Sequence, residues 1–297
     1  MPERGASVAI APPPAGPPRR LAFLGTPKLS VVPLRALVDA GFDVALVVSQ
    51  PDRVRGRGRE LVPSPVKQAA IELGLPVSDD LADVRTAGVD LGVVVAFGRI
   101  IPADLLAEVP MVNLHFSLLP RWRGAAPVER AILAGDERTG VDLMVVEEGL
   151  DTGGLYGRVE LPIGPDDDLE ALRGRLVAEG SRLLVESLQA GLGEAQPQVG
   201  ESTYAAKIDP AEREIDWSLP AIDVHRRVRA GDAWTTHGGH RLKVHQTRVP
   251  PRGDGPRVPA GDGEVELVVV QPAGKGRTPA ASWANGARWR PGDRLPS

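Results

Sequence analysis

The chain has 297 residues, a net charge of −4 and no cysteine. This length exceeds that of one ordinary domain, so we expect two domains, each large enough to bury a core. The lack of cysteine excludes disulfide bonds, thiol catalysis and zinc–cysteine sites, and it fits a reducing compartment such as the cytoplasm. No apolar run approaches the ~20 residues of a transmembrane helix, so we expect no part of the chain to enter a membrane.

The first half of the chain alternates strands and helices. Residues 1–18 are dominated by Ala, Pro and Gly and predict a disordered tail. Apolar runs then predict buried strands at 21–24, 44–49, 91–96, 111–116 and 141–147. Helical patterns lie between them at 30–40, 64–73, 102–108 and 126–134. This alternation predicts an open, parallel, Rossmann-like α/β sheet with its ligand site at the carboxyl ends of the strands.

A long helix and a linker separate this half from the rest. Leucines recur at helical spacing from residue 169 to 188 and predict an amphipathic helix that closes a first domain at 19–190. Gly, Gln and Pro are frequent after it, so residues 191–210 are assigned to a linker. The remaining residues, 211–297, predict a second domain that is small and largely β, with strands at 241–249 and 264–270 and helices at 225–229 and 279–289.

Charge is divided unevenly between the two parts. From Gln196 onward the chain has 15 basic and 12 acidic residues, a net charge of +3. The preceding residues have 20 basic and 27 acidic residues, a net charge of −7. A basic excess in the C-terminal third is the sign expected for a domain that contacts phosphates.

The predicted strand at 111–116 carries two polar side chains on one face. Asn113 and His115 are two residues apart, and side chains alternate along a strand. An amide can donate a hydrogen bond to a developing oxyanion, and an imidazole can move protons near neutral pH. The carboxylate of Asp151, just after the next predicted strand, could orient the imidazole. The trio suits acyl transfer without an enzyme nucleophile.

Two other ligand classes have weak support. Gly25 follows the first strand, but no G-x-G-x-x-G pattern surrounds it, so a nicotinamide site is disfavoured and a tight turn is the simpler interpretation. The five histidines lack acidic or thiol partners at metal-ligand spacing. We therefore expect no metal.

The sequence around the polar strand resembles that of the folate-dependent formyltransferase family. The matching segments are residues 117–127 (SLLPRWRGAAP) and 149–153 (GLDTG). Residues 49–53 (SQPDR), 56–58 (GRG) and 63–67 (PSPVK) narrow the resemblance to the branch that formylates methionyl-tRNA. The resemblance runs from about Arg20 to Leu295 and implies a formyltransferase sheet followed by a small OB-like barrel.

The resemblance also implies a reaction and its partners. The formyl donor is the co-substrate 10-formyltetrahydrofolate, and the acceptor is the α-amino group of initiator methionyl-tRNA. Asn113 and His115 stabilise the tetrahedral oxyanion, and Asp151 sets the charge of His115 and helps to take the proton of the amine. A monomer in the cytoplasm is expected. The turn after residue 96 and the segment after the polar strand are expected to border the pterin pocket, through Phe97, Gly98, Ile100, Ser117, Leu118, Leu119 and Pro120.

A basic loop follows the second predicted strand. Two glycines among four arginines disfavour a helix, so residues 52–59 predict a mobile loop, and arginine suits phosphates and unpaired bases. The resemblance implies that this loop enters the acceptor stem of tRNA. The expected tRNA contacts are Arg53, Arg55, Arg57, Arg59 and Lys67. At Val54 and Arg55 the sequence departs from the Pro-Ala pair usual in the family, which puts the loop's stiffness in question.

Three alternatives are open. A sugar-nucleotide N-formyltransferase shares the trio but has no use for the basic loop or a basic second domain. A 10-formyltetrahydrofolate hydrolase uses the trio on water and needs no tRNA-binding domain. A non-catalytic RNA-binding protein on this fold needs no intact trio. The stretch 250–263 is shorter than is usual in the family, which leaves open whether the barrel has all its strands.

Overall fold

A computed structural model describes residues 9–54, 61–290 and 292–296. The chain divides into two compact units that interleave along the sequence. The first comprises Met1–Gly124, Gly140–Leu161 and Arg173–Tyr204, and the second comprises Ala125–Thr139, Pro162–Leu172 and Ala205–Ser297. The domain boundaries expected from the sequence stay a prediction.

Short, mostly apolar segments form the strands up to residue 205. They are β1 (Arg20–Gly25), β2 (Asp43–Val48), β3 (Arg53–Val54), β4 (Leu61–Val62), β5 (Val77–Ser78), β6 (Leu91–Val95), β7 (Met111–His115), β8 (Arg123–Gly124), β9 (Arg138–Val145), β10 (Leu155–Pro162) and β11 (Tyr204–Ala205). Seven of them form one sheet in the order β10-β9-β7-β6-β1-β2-β5. Every residue of β6 is buried, as expected of a central strand.

Pairing in this sheet is parallel from β5 to β7 and then changes direction. Strands β2, β1, β6 and β7 are parallel neighbours, whereas β9 runs antiparallel to β7. The register places Asn113 opposite Met144 and His115 opposite Asp142. Because β9 is antiparallel, it ends at Val145 opposite Val112, and the turn that follows places the Asp151 carboxylate 3.6 Å from Nδ1 of His115.

Eight α-helices are described, and capping residues are evident at one end of two of them. They are α1 (Val31–Asp39), α2 (Pro65–Glu72), α3 (Asp83–Thr86), α4 (Ala103–Glu108), α5 (Pro127–Ala134), α6 (Leu169–Ala190), α7 (Ala221–Arg229) and α8 (Ala280–Ala287). The Ser64 hydroxyl accepts the Lys67 N–H at 3.0 Å and caps α2, which starts at a proline. Helix α5 ends at Gly135, whose φ of 74° favours glycine. No described helix is long and apolar enough to cross a membrane.

The second unit contains a five-stranded antiparallel sheet. Its strands are β12 (Trp234–His237), β13 (His240–Arg248), β14 (Arg257–Pro259), β15 (Glu264–Pro272) and β16 (Thr278–Pro279). They follow the order β12-β13-β15-β14, and β16 also pairs with β15. Alternating apolar residues of β13 and β15 bury a core that includes Leu242, Val244, Leu267 and Val270. The predicted fold class is confirmed: a mainly parallel α/β sheet is followed by a separate antiparallel sheet.

Part of the predicted tail lies against the first unit. The Ala11 N–H donates to the carbonyl oxygen of Leu106 at 2.8 Å, and Pro18 is buried. Residues 9–18 form no helix or strand, as their Pro-rich composition predicts, but a backbone hydrogen bond still anchors them. The earlier residues of the predicted tail, 1–8, lie outside the described part of the chain.

Candidate active site

Strand β7 ends with two polar side chains on one face. Asn113 and His115 are two residues apart in an unbroken strand, so their side chains point the same way. Asn113 is half-buried and His115 is buried. In the described part of the chain, no hydrogen bond occupies the Asn113 amide. The strand therefore presents a free amide beside an imidazole.

The two ring nitrogens of His115 have different neighbours. Nε2 lies 2.9 Å from the carbonyl oxygen of Trp122, and because that oxygen can only accept, Nε2–H must donate. Nδ1 lies 3.6 Å from Oδ2 of Asp151. In the neutral ring, Nδ1 is thus the nitrogen without a proton. The ring nitrogen that can accept a proton therefore faces the Asp151 carboxylate.

Asp151 occupies a tight turn after β9. Its φ is +53°, an uncommon value for a residue other than glycine, and its Oδ2 accepts the Gly124 N–H at 2.8 Å. The neighbouring glycines have no room for a side chain. A Cβ at Gly149 would lie 2.1 Å from Oγ1 of Thr152, and a Cβ at Gly153 would lie 2.1 Å from the carbonyl oxygen of Val145. The turn therefore needs both glycines to hold the carboxylate where it is.

An ion pair between a buried carboxylate and a partly exposed guanidinium fixes the segment after β7. Asp142, fully buried on β9, accepts the Leu119 N–H at 2.7 Å and two hydrogen bonds from Arg158 at 2.7 and 2.6 Å. Arg158 also donates to the carbonyl oxygen of Leu119 at 2.6 Å. The hydrogen bonds to Asp142 raise the pKa of Arg158 against the opposing effect of burial, so the guanidinium stays charged. This pair binds both backbone polar groups of Leu119.

Most side chains of the predicted pterin segment are inaccessible. Ser117, Leu119 and Pro120 are buried, and Leu118 is half-buried. The Ser117 hydroxyl donates to the carbonyl oxygen of Arg121 at 2.7 Å, which closes the turn on itself. Of these four residues, only Leu118 has a partly accessible side chain.

The turn after β6 is built by backbone contacts. Phe97 is buried in the core of the first unit, and its carbonyl oxygen accepts hydrogen bonds from Thr26 at 3.0 Å and Gln50 at 3.1 Å. Gly98 has a φ of +74°, and a Cβ there would lie 2.8 Å from Nε2 of Gln50. Ile100, by contrast, is 90% exposed. An exposed apolar side chain of this size beside fixed backbone groups suits a flat heterocycle.

A cleft of about 620 Å³ opens beside this turn. It is lined by Gln50, Pro51, Arg53, Asp79, Asp80, Gly98 and Arg99. It brings one residue predicted to contact folate, Gly98, next to one predicted to contact tRNA, Arg53. Residues 117–120 are not among those that line it.

The described part of the basic region is mostly exposed. Arg53 and Val54 form β3, which pairs with β4, and Arg53 donates to Gln50. Lys67 lies on α2, and its Nζ forms an ion pair with Oδ1 of Asp52 at 2.7 Å. The other expected tRNA contacts, Arg55, Arg57 and Arg59, lie outside the described residues. Arg53 and Lys67 are thus both tied to neighbours at the base of the loop.

Sequence reasoning missed the residues that orient the trio. Trp122 and Gly124 act through backbone groups, which side-chain patterns do not reveal. Asp142 had a visible signal, an acidic residue within the apolar run 141–144, because a buried charge requires a partner. Its partner Arg158 lies on the next strand and is evident only once β9 and β10 are paired.

Comparisons with known proteins agree along the chain. Residues 19–188 match the formyl transferase family model, and residues 207–288 match the model of the formyl transferase C-terminal domain. The methionyl-tRNA formyltransferase of Symbiobacterium thermophilum is 42% identical, over 93% of this chain and 95% of that protein. The protein of the same name from Roseobacter denitrificans is 45% identical, over 90% of this chain and 96% of that protein.

Solved structures share the fold at low sequence identity. An N-formyltransferase from Helicobacter canadensis, solved with folinic acid and dTDP-3-aminofucose, has a TM-score of 0.66 at 18% identity and covers 84% of this chain and 98% of that one. Methionyl-tRNA formyltransferase from Clostridium thermocellum has a TM-score of 0.60 at 14% identity and covers 87% of this chain and 100% of that one. With both domain models matched and relatives above 40% identity along nearly the whole chain, the protein belongs to the methionyl-tRNA formyltransferase family.

Proposed function

We propose that the chain transfers the formyl group of 10-formyltetrahydrofolate to the α-amino group of initiator methionyl-tRNA. The observation that carries this proposal is the arrangement of groups around the His115 ring, in a chain that belongs to this family. One ring nitrogen is tied to the Trp122 carbonyl, and the other faces Asp151 beside a free Asn113 amide. Because charged tRNA is made and used in the cytoplasm, we expect the enzyme to act there.

Asn113 and His115 have complementary roles in the proposed reaction. As the amine nitrogen bonds to the formyl carbon, the carbonyl oxygen gains negative charge. We expect the Asn113 N–H to donate to that oxygen, and the His115 ring, which lies on the same face of β7, to help stabilise it. The C–N bond to the folate then breaks, and the folate nitrogen that leaves gains the proton that the amine loses.

We expect Asp151 to set the charge of His115 and to help take the proton that the amine loses. Its carboxylate already accepts the Gly124 N–H, so it is held in place before substrate binds. The demand on a base is modest, because a free α-amino group titrates near ~7.7–8.0 and is partly neutral at cellular pH. We therefore expect positioning of the amine to contribute more to the rate than proton removal.

For the folate, we propose that the exposed Ile100 and the backbone at Phe97 and Gly98 border the pterin, together with residues 117–120. The buried side chains in the latter segment leave the backbone and Leu118 as its available contacts. For the tRNA, we propose contacts from Arg53, Arg55, Arg57, Arg59 and Lys67 and from the basic C-terminal part. Positive charge at both places is what phosphate binding requires.

The test uses 10-formyltetrahydrofolate labelled in the formyl carbon. Purified protein receives methionine-charged initiator tRNA, a dTDP-linked amino sugar, or no acceptor. The proposal predicts label on the methionine of the tRNA and almost none elsewhere. Label on the sugar would indicate a sugar-nucleotide formyltransferase, and free labelled formate without acceptor would indicate a hydrolase. Either of those results would overturn the proposal.

A further inference from the structure

The predicted linker is not a free connector in the part that follows α6. Residues 196–203, here called the strap, lie on the first unit. Gln196 forms an antiparallel bridge with Leu155, with N–H···O distances of 2.7 and 2.8 Å. At the other end, the Thr203 hydroxyl accepts the Trp122 N–H at 2.9 Å, and the Thr203 carbonyl accepts the Arg123 N–H at 2.9 Å. The strap is therefore anchored to both loops that carry the candidate site.

Between these anchors, Gln198 uses its whole side-chain amide. Its Nε2 donates to the carbonyl oxygens of Asp151 at 2.9 Å and Gly153 at 2.8 Å. Its Oε1 accepts from Nε of Arg123 at 3.2 Å and from Nη2 of the same residue at 2.7 Å. Both N–H bonds and both lone pairs of the amide are thereby occupied. No other natural side chain of this length offers two donors and two acceptors in this arrangement.

These four bonds join the two halves of the site. Asp151 has an uncommon backbone conformation, with a φ of +53°, and Gln198 holds its carbonyl. Arg123 lies between Trp122, whose carbonyl binds His115, and Gly124, whose N–H binds Asp151. Gln198 therefore sets where the carboxylate lies relative to the imidazole, although it contacts neither side-chain group.

We infer that Gln198 is a positioning residue for formyl transfer, acting through the backbone of Asp151 and the side chain of Arg123. The inference rests on the proposed function. Loss of its two donors lets the Asp151 turn relax, so the carboxylate moves away from Nδ1 of His115. A small misplacement of a catalytic group can lower a rate by about 100-fold. The defect should be in kcat, because Gln198 holds groups of the reaction centre and binds neither substrate.

The test compares two substitutions of Gln198 with a control on the same strap. Gln198→Ala removes all four bonds. Gln198→Glu keeps the size and the contact with Arg123 but cannot donate to the two carbonyls. Gln196→Ala is the control, because the one hydrogen bond of that side chain within the described residues is exposed and goes to the carbonyl of Glu194, at 3.3 Å. Formylation kinetics are measured well below each protein's unfolding temperature, with both substrates varied.

We expect both Gln198 variants to lose kcat by about 10- to 100-fold with KM for both substrates within about threefold of wild type, and Gln196→Ala to match wild type. Gln198→Glu covers the case in which the alanine variant fails to fold. A crystal structure of the glutamate variant gives a readout independent of activity: the distance from Oδ2 of Asp151 to the Gly124 nitrogen should lengthen from 2.8 Å.

Three results would overturn the inference: an unchanged turn in the variant structure, a kcat within twofold of wild type, or a defect confined to KM. An inactive wild-type protein would instead refute the proposed function, and the structural readout would still decide the role of Gln198.

Discussion

The end of β7 and the hairpin of β3 and β4 are built in opposite ways. At β7, the His115 side chain is 6% exposed and both its ring nitrogens face fixed groups. At the hairpin, all four residues of the two strands are exposed, and the described side-chain hydrogen bond is the one that Arg53 donates to Gln50. Acyl transfer requires catalytic groups held at fixed positions, whereas phosphate binding requires positive charge on long side chains. The difference matches the two roles proposed for these regions.

The largest effect should come from breaking the buried pair behind the β7 end. Arg158→Met leaves Asp142 fully buried with the Leu119 N–H as its remaining contact, and loss of one partner of a buried pair costs about 3–5 kcal/mol. Asp142→Asn should cost less, because Arg158 is 41% exposed on its side chain and can be hydrated. Urea unfolding measures both. If both variants lose the same free energy of unfolding, a buried Asp142 carboxylate without Arg158 is not the main cost, and the pair does not fix this segment as described.

The next effect concerns the trio itself. Loss of one preorganised oxyanion donor typically lowers turnover by ~10²–10³. Asn113→Ala, His115→Ala and Asp151→Asn should each lose about that much, with the folded state intact by circular dichroism. His115→Ala and Asp151→Asn should not be additive when combined, because the carboxylate acts through the imidazole. A soluble His115→Ala variant with normal turnover would refute the proposed role of the trio in the reaction.

The sequence predicted the parts of this site that follow from local pattern. The period of a strand places Asn113 and His115 on one face, and the strand is present at Met111–His115. The position of Asp151 just after the next predicted strand suggests that it orients His115, and the family resemblance adds its part in proton transfer. The contacts of Gln198 could not be predicted, since a segment rich in Gly, Gln and Pro gives no indication of which surface it crosses.

The expectation for the pterin segment illustrates a second limit. Residues 117–120 are expected to border the pterin pocket because a flat heterocycle needs an apolar slot with a few backbone donors, yet most of their side chains are buried. Chain position identifies a loop near a site, but the direction of each side chain depends on tertiary partners such as Asp142 and Arg158. Whether these residues contact folate stays a prediction.

A smaller effect should appear in the second unit, where Glu266 is buried on β15. Burial raises its pKa, but N–H groups of Arg252, Gly253 and Gly255 and the charge of Arg248 outweigh this and hold the pKa below its usual value. A lowered pKa in the folded state stabilises the protein above the unfolded value of ~4.3, and this stability is lost as the pH falls through the folded pKa.

Glu266→Gln should therefore cost about 1–3 kcal/mol at neutral pH. The difference from wild type should shrink as the pH falls below ~4. Thermal unfolding followed from pH 7 to pH 3 measures it. A constant difference across that range would show that the carboxylate charge does not stabilise the loop before β14.

The smallest effect per residue is expected for the arginines near β3. It is also the best test of the difference between the β7 end and the β3–β4 hairpin. If they bind tRNA phosphates, each contact removed should lower the slope of log affinity against log salt by about 1. The triple variant Arg53→Ala, Arg55→Ala, Arg57→Ala should weaken tRNA use and flatten this slope, because fewer counterions are released on binding. Its kcat on a small methionine ester should equal that of wild type, since the β7 end is untouched. The single variants Arg53→Ala and Arg55→Ala separate the family contact from the divergent position. Arg182→Ala, which removes one exposed arginine from α6, is the matched control for these single variants, because each of the three loses one positive charge. If the triple variant has the tRNA kinetics and salt slope of wild type, the basic loop is only solvated, and tRNA recognition must come from other parts of the chain.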